Sequence, residues 1–473
     1  MRKVSFFVSI FLISSFLFSC SENSNETAQS EGASYSQVQE TVDSSSQVQE
    51  TKLAPIAHQY DRAEDFSEGL AAVCIDDKLG YIDKTGEIVI PLKYEWIGYL
   101  GTMRGIRTSA FTDGLAVVCQ NGKYGFVDKT GKEIVPCKYD DAFIFAEGMA
   151  AVKLGTKWGF IDTTGREVVP PKYDRVSSFS EGMAAVANGG ELYIPPEDEL
   201  GEVEYINSKW GFIDKTGTEV IPCQYSYVEK FRFQEGVAIV ITEQGNFKII
   251  DKTGKDVVPE GKYSTFGDVS EGLVAASVGS QWGFLDLSGN EVIPCVNEYA
   301  ISGIIPSFSE GLAWFKMDHG KYGVIDKSGK IIVQPIYYDG IWYFKEGMSR
   351  VKVNGKYGFI NKNGILVINP KYGWAFSFIE GMARVCMNSD QVGEWGFIDK
   401  TGREITPLHY FSAYDFNEGY AAVNIGDSET GKWGFIDKEG NTVVECKYSE
   451  VSSYKEGMAA VCLDGKWGYI PYP

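Results

Sequence analysis

Histidine is scarce in this chain of 473 residues. The three present, His58, His319 and His409, are scattered, and none falls in a metal-ligand or nucleophile spacing. Basic charge is also short: 44 Lys plus Arg face 64 Asp plus Glu, for a net charge of -20. Nucleic acid is therefore a poor partner, because neutralising phosphates requires basic surface. The paired Cys-x-x-Cys spacing of a zinc site is missing, as are a glycine-rich phosphate loop and a calcium loop. The expectation is a protein without metal or cofactor, and not an enzyme. Carboxylates are plentiful, but Asp83, Asp128, Asp162, Asp214, Asp286 and Asp437 recur at one turn position, where they read as turn-formers.

Apolar residues are not lacking. They make up 44% of the chain and aromatics 14%, enough for a packed core, while 53 glycines point to many turns. Arg2 and Lys3 followed by the apolar run 6–18 form a leader too short to span a bilayer comfortably. It ends in Leu17-Phe18-Ser19-Cys20, which resembles the lipobox of bacterial lipoproteins, although Phe18 is bulkier than the usual residue there. That resemblance implies a leader at 1–20, lipidation of Cys20 and anchoring to a membrane. Ser21 after the cysteine implies onward transport to the outer membrane. Residues 21–57, rich in Ser, Glu, Gln and Thr, read as a flexible tether.

From 58 to 473 one pattern recurs. It is clearest in Lys157-Trp-Gly-Phe-Ile-Asp162, Thr163-Thr-Gly165, Arg166-Glu-Val-Val-Pro-Pro171, Lys172-Tyr173 and Phe179-Ser-Glu-Gly-Met-Ala-Ala-Val186. The first aromatic, or its substitute, falls at Leu79, Tyr124, Trp158, Trp210, Phe247, Trp282, Tyr322, Tyr357, Trp395, Trp433 and Trp467, eleven positions spaced 34 to 52 residues apart. The Asp-Lys-Thr-Gly segment is a hairpin signal, since Asp can cap the turn and Gly supplies positive φ. The Glu-Val-Val-Pro segment forms the return strand, and the Ala-Val run after Glu-Gly a third.

These residues resemble the WG repeat family of bacterial proteins. Lys248 replaces the Gly of the fifth unit, Asn361 the Asp of the eighth, and Pro471 ends the last hairpin early. The resemblance implies an all-β tandem array of about eleven three-stranded units. Two arrangements can stack them, a solenoid-like superhelix or a closed, propeller-like array. Three strands per unit and eleven units favour the solenoid, since propeller blades usually have four strands and number four to eight.

Recurrent residues are explained by the scaffold, so binding belongs where units differ. Three inserts stand out, at 95–111, 188–209 and 296–308. Trp96, Trp314, Trp342 and Trp374 lie outside the Trp-Gly position and, with Tyr99, are the candidate ligand-binding residues for a protein or glycan. Eight cysteines remain after Cys20. They read as buried thiols or as bridges within or between units, Cys119 with Cys137 being one pairing. The expected function is a binding or interaction scaffold at the cell envelope, periplasmic or surface-exposed; the alternatives are a structural envelope protein and a cell-wall or glycan-binding module.

Overall fold

The computed structural model describes residues 53–97, 100–102, 105–193, 204–295, 307–317, 320–388 and 393–473. Cys20, most of the tether and Tyr99 lie outside the described residues. The body at 52–473 is one compact unit of antiparallel sheets.

Counting units by the eleven aromatic positions, unit 3 shows the plan. Strands Asp141–Ala142, Met149–Leu154, Lys157–Asp162 and Glu167–Tyr173 pair antiparallel in that spatial order. The unit is thus four-stranded where three strands were expected. The additional strand is two residues long, and so short a segment leaves no periodic signature. The same order recurs in units 4, 5, 6, 8 and 10. Units 1 and 2 merge into one seven-stranded sheet through the pair Glu95↔Cys119. In unit 9 the return segment is reduced to the bridges Ile398↔Glu404 and Trp395↔Tyr410.

Each hairpin forms for the expected reason. Asp128 Oδ1 accepts from the Thr130 amide at 2.9 Å, the Thr130 hydroxyl at 2.6 Å and the Lys132 amide at 3.0 Å, while Gly131 takes φ +82°. The second strand is apolar on both faces. Leu115 to Cys119 are all buried, because neighbouring units cover the two sides of the sheet. Each core cluster accordingly draws on consecutive units: Val117, Phe126 and Val135 of unit 2 pack with Phe145, Ala150 and Val152 of unit 3.

The Gly of each Trp-Gly pair answers to a bulge in the return strand. In unit 2 the register passes from Tyr124↔Tyr139 to Phe126↔Val135, so Pro136, Cys137 and Lys138 arch across the single residue Gly125. A Cβ on Gly125 would lie 2.5 Å from the Val135 carbonyl oxygen and 2.7 Å from the Cys137 nitrogen, both backbone. Unit 5 carries Lys248 at this place, and its return strand stops at Val258 without forming the arch. There the Lys248 ammonium turns to Asp256 at 2.7 Å and lies 5.3 Å from the centre of the Tyr225 ring.

The array closes on itself. Unit 11 ends after its third strand, Lys466–Pro471, and its fourth is supplied from the other end of the body by Ile56–Tyr60, pairing Ile56↔Tyr469 and Tyr60↔Trp467. That strand begins two residues before the boundary read from the sequence. Ile56, Tyr60, Phe66 and Val73 share a core cluster with Met458, Ala460 and Tyr469. Of the two stacking arrangements, end pairing selects the closed one over the open solenoid, since no exposed unit face is left at either terminus.

No disulfide joins any of the eight cysteines of the body. Of the two readings, the thiol one fits, and the alternative bridge between Cys119 and Cys137 is not present. Cys119 pairs with Tyr124, whereas Cys137 rides in the arch over the next residue, Gly125, and successive strand residues point to opposite faces. The two thiols accordingly belong to different core clusters.

Substituting Gly125→Ala should destabilise the body by about 2 kcal/mol or more, because the new methyl meets backbone. Lys248→Gly, at a site with no arch, should cost less than about 1 kcal/mol. Chemical denaturation of the two variants measures the difference, and equal losses would refute the arch as the reason for the glycine.

Candidate binding surface

The recurrent marker carboxylates are bound by backbone amides of the neighbouring unit. In every Glu-Gly marker two successive residues take positive φ, as in Glu181 at +53° and Gly182 at +80°, which turns both amides outward. Such a pair makes a concave anion seat. The carboxylate of the preceding unit fills it: Glu147 accepts from the Glu181 amide at 2.6 Å and the Gly182 amide at 2.9 Å. The step repeats around the array with Gly amides at 2.6–3.1 Å, Asp113 serving in unit 2. Glu456 of unit 11 completes the circuit by accepting from the Glu68 and Gly69 amides of unit 1 at 2.6 and 2.9 Å.

A lysine from the Asp-Lys-Thr-Gly turn of the following unit neutralises most of these carboxylates. Lys84, Lys129, Lys215, Lys252, Lys327, Lys362, Lys400 and Lys438 lie 3.0–3.3 Å from them. In unit 11 the Tyr472 hydroxyl takes that role, donating to Glu418 at 2.5 Å. Burial pushes the Glu147 carboxyl up, but the Gly182 and Glu181 amides and the Lys215 ammonium outweigh it and hold the group below its usual range.

The Lys-Tyr pairs make a second belt. Tyr139 is buried, donates to Glu167 of the next unit at 2.8 Å, and carries the Lys138 ammonium 4.8 Å from its ring centre. Aromatic rings make a third. Phe126 meets Phe145 of the next unit edge-on at 5.0 Å, and Tyr469 meets Phe66 across the closure at 5.0 Å. Each such contact contributes about 0.5–1.5 kcal/mol beyond burial.

The sequence-predicted residues fare differently. Trp96 is half-buried against the unit 1 core, with the Arg62 guanidinium 5.6 Å from its ring centre. Trp314 is core, buried beside Tyr322 at 5.6 Å. Trp342 and Trp374 come together: both are half-buried and flank the Tyr357 ring, at 5.3 and 5.2 Å. Of the inserts, 95–111 folds into a small hairpin, Leu100–Gly101 with Ile106–Arg107, and 188–209 into Glu191–Tyr193 with Glu204–Ile206. Most of 296–308 lies outside the described residues.

Sequence reasoning missed two arginines beside the paired tryptophans. Arg350 and Arg384 replace the second Ala of the Ala-Val strand, and a charge inside an otherwise apolar run was the available signal. Arg384 stacks on Phe376 at 4.0 Å, and its Nε donates to Asp415 at 3.1 Å. Arg350 stacks on Trp342 at 4.6 Å and donates to the Ala375 carbonyl at 2.6 Å. Its Nε and the Trp374 indole nitrogen are buried without a hydrogen-bond partner. Tyr343 beside them is 40% exposed. Among the described residues no His, Cys, Asp and Glu grouping is arranged to hold a metal ion.

A family described as the WG containing repeat matches eleven segments, at 56–78, 80–100, 107–124, 124–158, 158–191, 210–243, 282–322, 322–357, 357–389, 395–428 and 433–467. The chain belongs to this family. None of the matched segments covers 244–281, where Lys248 has displaced the WG glycine. Comparison with curated proteins returns no match. Among solved structures the WG repeat body is similar to a eukaryotic initiation factor (12% identity, 76% of this chain and 98% of that one, TM-score 0.38). It is similar also to the extracellular domain of a hybrid two component system from B. thetaiotaomicron (8%, 89% and 71%, 0.22) and to BamB from Moraxella catarrhalis (11%, 76% and 94%, 0.27).

One carboxyl in the WG array runs against the trend. Burial pushes Glu64, at the closure, up to about 7, with the Thr108 hydroxyl pulling down, Asp65 pushing up and Lys455 pulling down. A raised carboxyl favours the folded state only while protonated, so its contribution is lost as pH rises from the unfolded value near 4.5 through about 7. Glu64→Gln should therefore raise the melting temperature at pH 8, by up to about 3 kcal/mol in stability, and leave it nearly unchanged at pH 4. Thermal denaturation across pH tests this, and a gain of equal size at both pH values would contradict it.

Proposed function

We propose that this WG repeat protein is a non-enzymatic binding scaffold of the cell envelope, tethered through residues 21–57 to a lipid on Cys20 and directed to the outer membrane. Its ligand is a protein or glycan, and its binding residues lie in the units that depart from the consensus. The observation carrying this reading is the contrast between the polar groups. The marker carboxylates of the consensus are bound within the array, whereas the Arg350 Nε and the Trp374 indole nitrogen, on side chains that the consensus lacks, are buried without partners, and Tyr343, next to Trp342 in the chain, is exposed. Unsatisfied buried donors cost about 1–3 kcal/mol each, and an acceptor brought by a ligand would remove that cost.

Two measurements test the reading. Affinity capture from envelope extracts with the wild-type body should return a protein or glycan that the Trp342→Ala/Trp374→Ala double variant, still folded by circular dichroism, retains at least about tenfold less well. Capture of nothing by either form would remove the scaffold reading. For the anchor, Cys20→Ser should abolish incorporation of a labelled fatty acid and release the protein from membranes. A membrane-bound, unlabelled Cys20→Ser protein would contradict the lipid on Cys20.

A further inference from the structure

The carboxylate circuit contains its own controls. At eight steps an ammonium from the next unit lies against the glutamate, and two of these lysines also reach a backbone oxygen of the same residue: Lys252 donates to the Glu181 carbonyl and Lys327 to the Glu271 carbonyl, both at 2.8 Å. An ammonium thus has a defined seat on a glutamate whose carboxylate is already held by one or two backbone amides. Unit 6 breaks the rule, because Leu287 stands where the turn lysine belongs. The carboxylate left without its ammonium is Glu235, which still accepts from the Glu271 and Gly272 amides at 2.8 and 2.6 Å.

The two other interruptions of the circuit differ. Glu418 has the Tyr472 hydroxyl, and where Thr163 replaces lysine the carboxylate is Asp113, one methylene shorter. At Glu235 the missing side chain leaves an open cleft of about 360 Å³, lined by Glu235, Asp251, Lys255, Asp256 and Leu287 among others. Asp251 is taken by its own turn, accepting from the Thr253 amide at 2.8 Å and the Lys255 amide at 3.0 Å, and Asp256 holds Lys248 at 2.7 Å. Lys255, the other basic residue of the lining, forms no ion pair among the described residues, so Glu235 lacks the ammonium that its equivalents in other units have.

We propose that this cleft between units 5 and 6 receives a lysine side chain of a partner polypeptide, its ammonium occupying at Glu235 the seat that the chain's own lysines occupy elsewhere. Leu287 favours a lysine over an inorganic cation. It packs onto the apolar cluster with Val257 and Phe247, so it offers an aliphatic wall beside the carboxylate. A lysine brings a methylene stem and a charged head to such a site, and a bare ion brings only charge. The net charge of -20 draws a basic partner toward the surface over a longer range. The inference rests on the scaffold reading for the existence of a partner, but not on the tryptophan surface.

Carbodiimide coupling tests it on the full chain, because zero-length amide formation requires the amine to touch the carboxylate. The probe is acetyl-Gly-Lys-Gly-amide, and the adduct at Glu235 is quantified by peptide mapping. Leu287→Lys installs the internal lysine used at eight other steps and should lower the adduct roughly tenfold or more, whereas Leu287→Met, which leaves the seat empty, should keep it. Equal coupling in wild type and Leu287→Lys overturns the proposal. So does competition by free cadaverine as effective as that by the peptide, which would make the occupant a small amine, or competition by magnesium alone, which would make it a metal ion. Partner capture that persists in Leu287→Lys while Glu235 never couples removes this inference and leaves the scaffold reading intact. Loss of all capture removes the latter whatever Glu235 does.

Discussion

The constraint on which the rest depends is that one WG unit cannot bury its own two faces. Its second strand is apolar on both sides, and no hairpin folded on itself could cover both. Each unit is therefore stable only between two neighbours, and every recurrent feature serves that contact. The arch of the return strand over the WG glycine, the aromatic ring passed to the next unit and the carboxylate seated on the next pair of amides solve one problem at three depths. The apolar layer supplies the free energy, while the hydrogen-bonded layers fix register, since a carboxylate can be seated on two amides in one alignment of the units alone.

Closure follows from the same constraint. An open stack would leave two faces bare and would need capping units with polar outer faces. Here the last unit lacks a return strand of its own, and Ile56–Tyr60 supplies it by completing the sheet of Lys466–Pro471. The closure also has features of its own. Units 11 and 1 carry Tyr469 and Tyr81 where most other units carry Phe. The Tyr469 hydroxyl donates to the Glu64 carbonyl at 2.6 Å and the Tyr81 hydroxyl to the Ser109 carbonyl at 2.8 Å.

Much of this was readable in the residues. The Trp-Gly position recurs eleven times and the hairpin turn ten, and repetition turns a weak local signal into a firm one. The two-residue first strand was not readable, because it exists only through pairing with its neighbour. Closure was not readable from periodicity either, since it joins the two ends of the body. A trace was present: Ile56 and Tyr60 stand at the spacing of Val135 and Tyr139 in a return strand. The candidate tryptophans divided for a physical reason. Trp314 replaces a small residue on a strand buried on both faces and is drawn into the core, whereas Trp374 lies in the two-residue first strand of its unit and Trp342 directly follows that of the unit before, where a ring can keep one edge in solvent.

The closed array also explains where departures are tolerated. Every unit has two neighbours, so unit 5 can lose its arch and unit 9 most of its fourth strand while the sheets on either side keep their register. In an open stack the same defects would lie closer to a frayed end and would weaken everything beyond them. Closure thus separates two demands that usually conflict. The consensus positions hold the ring together, and units 5, 6, 8 and 9 are released to change. Two charges are left over in those units, Glu235 without its ammonium and Arg350 without the carboxylate that Arg384 finds in Asp415; the second, with its Nε buried and unpartnered, is destabilising where it stands. Neighbouring units show that the same sequence pattern can satisfy such charges from within, so the fold itself does not require them.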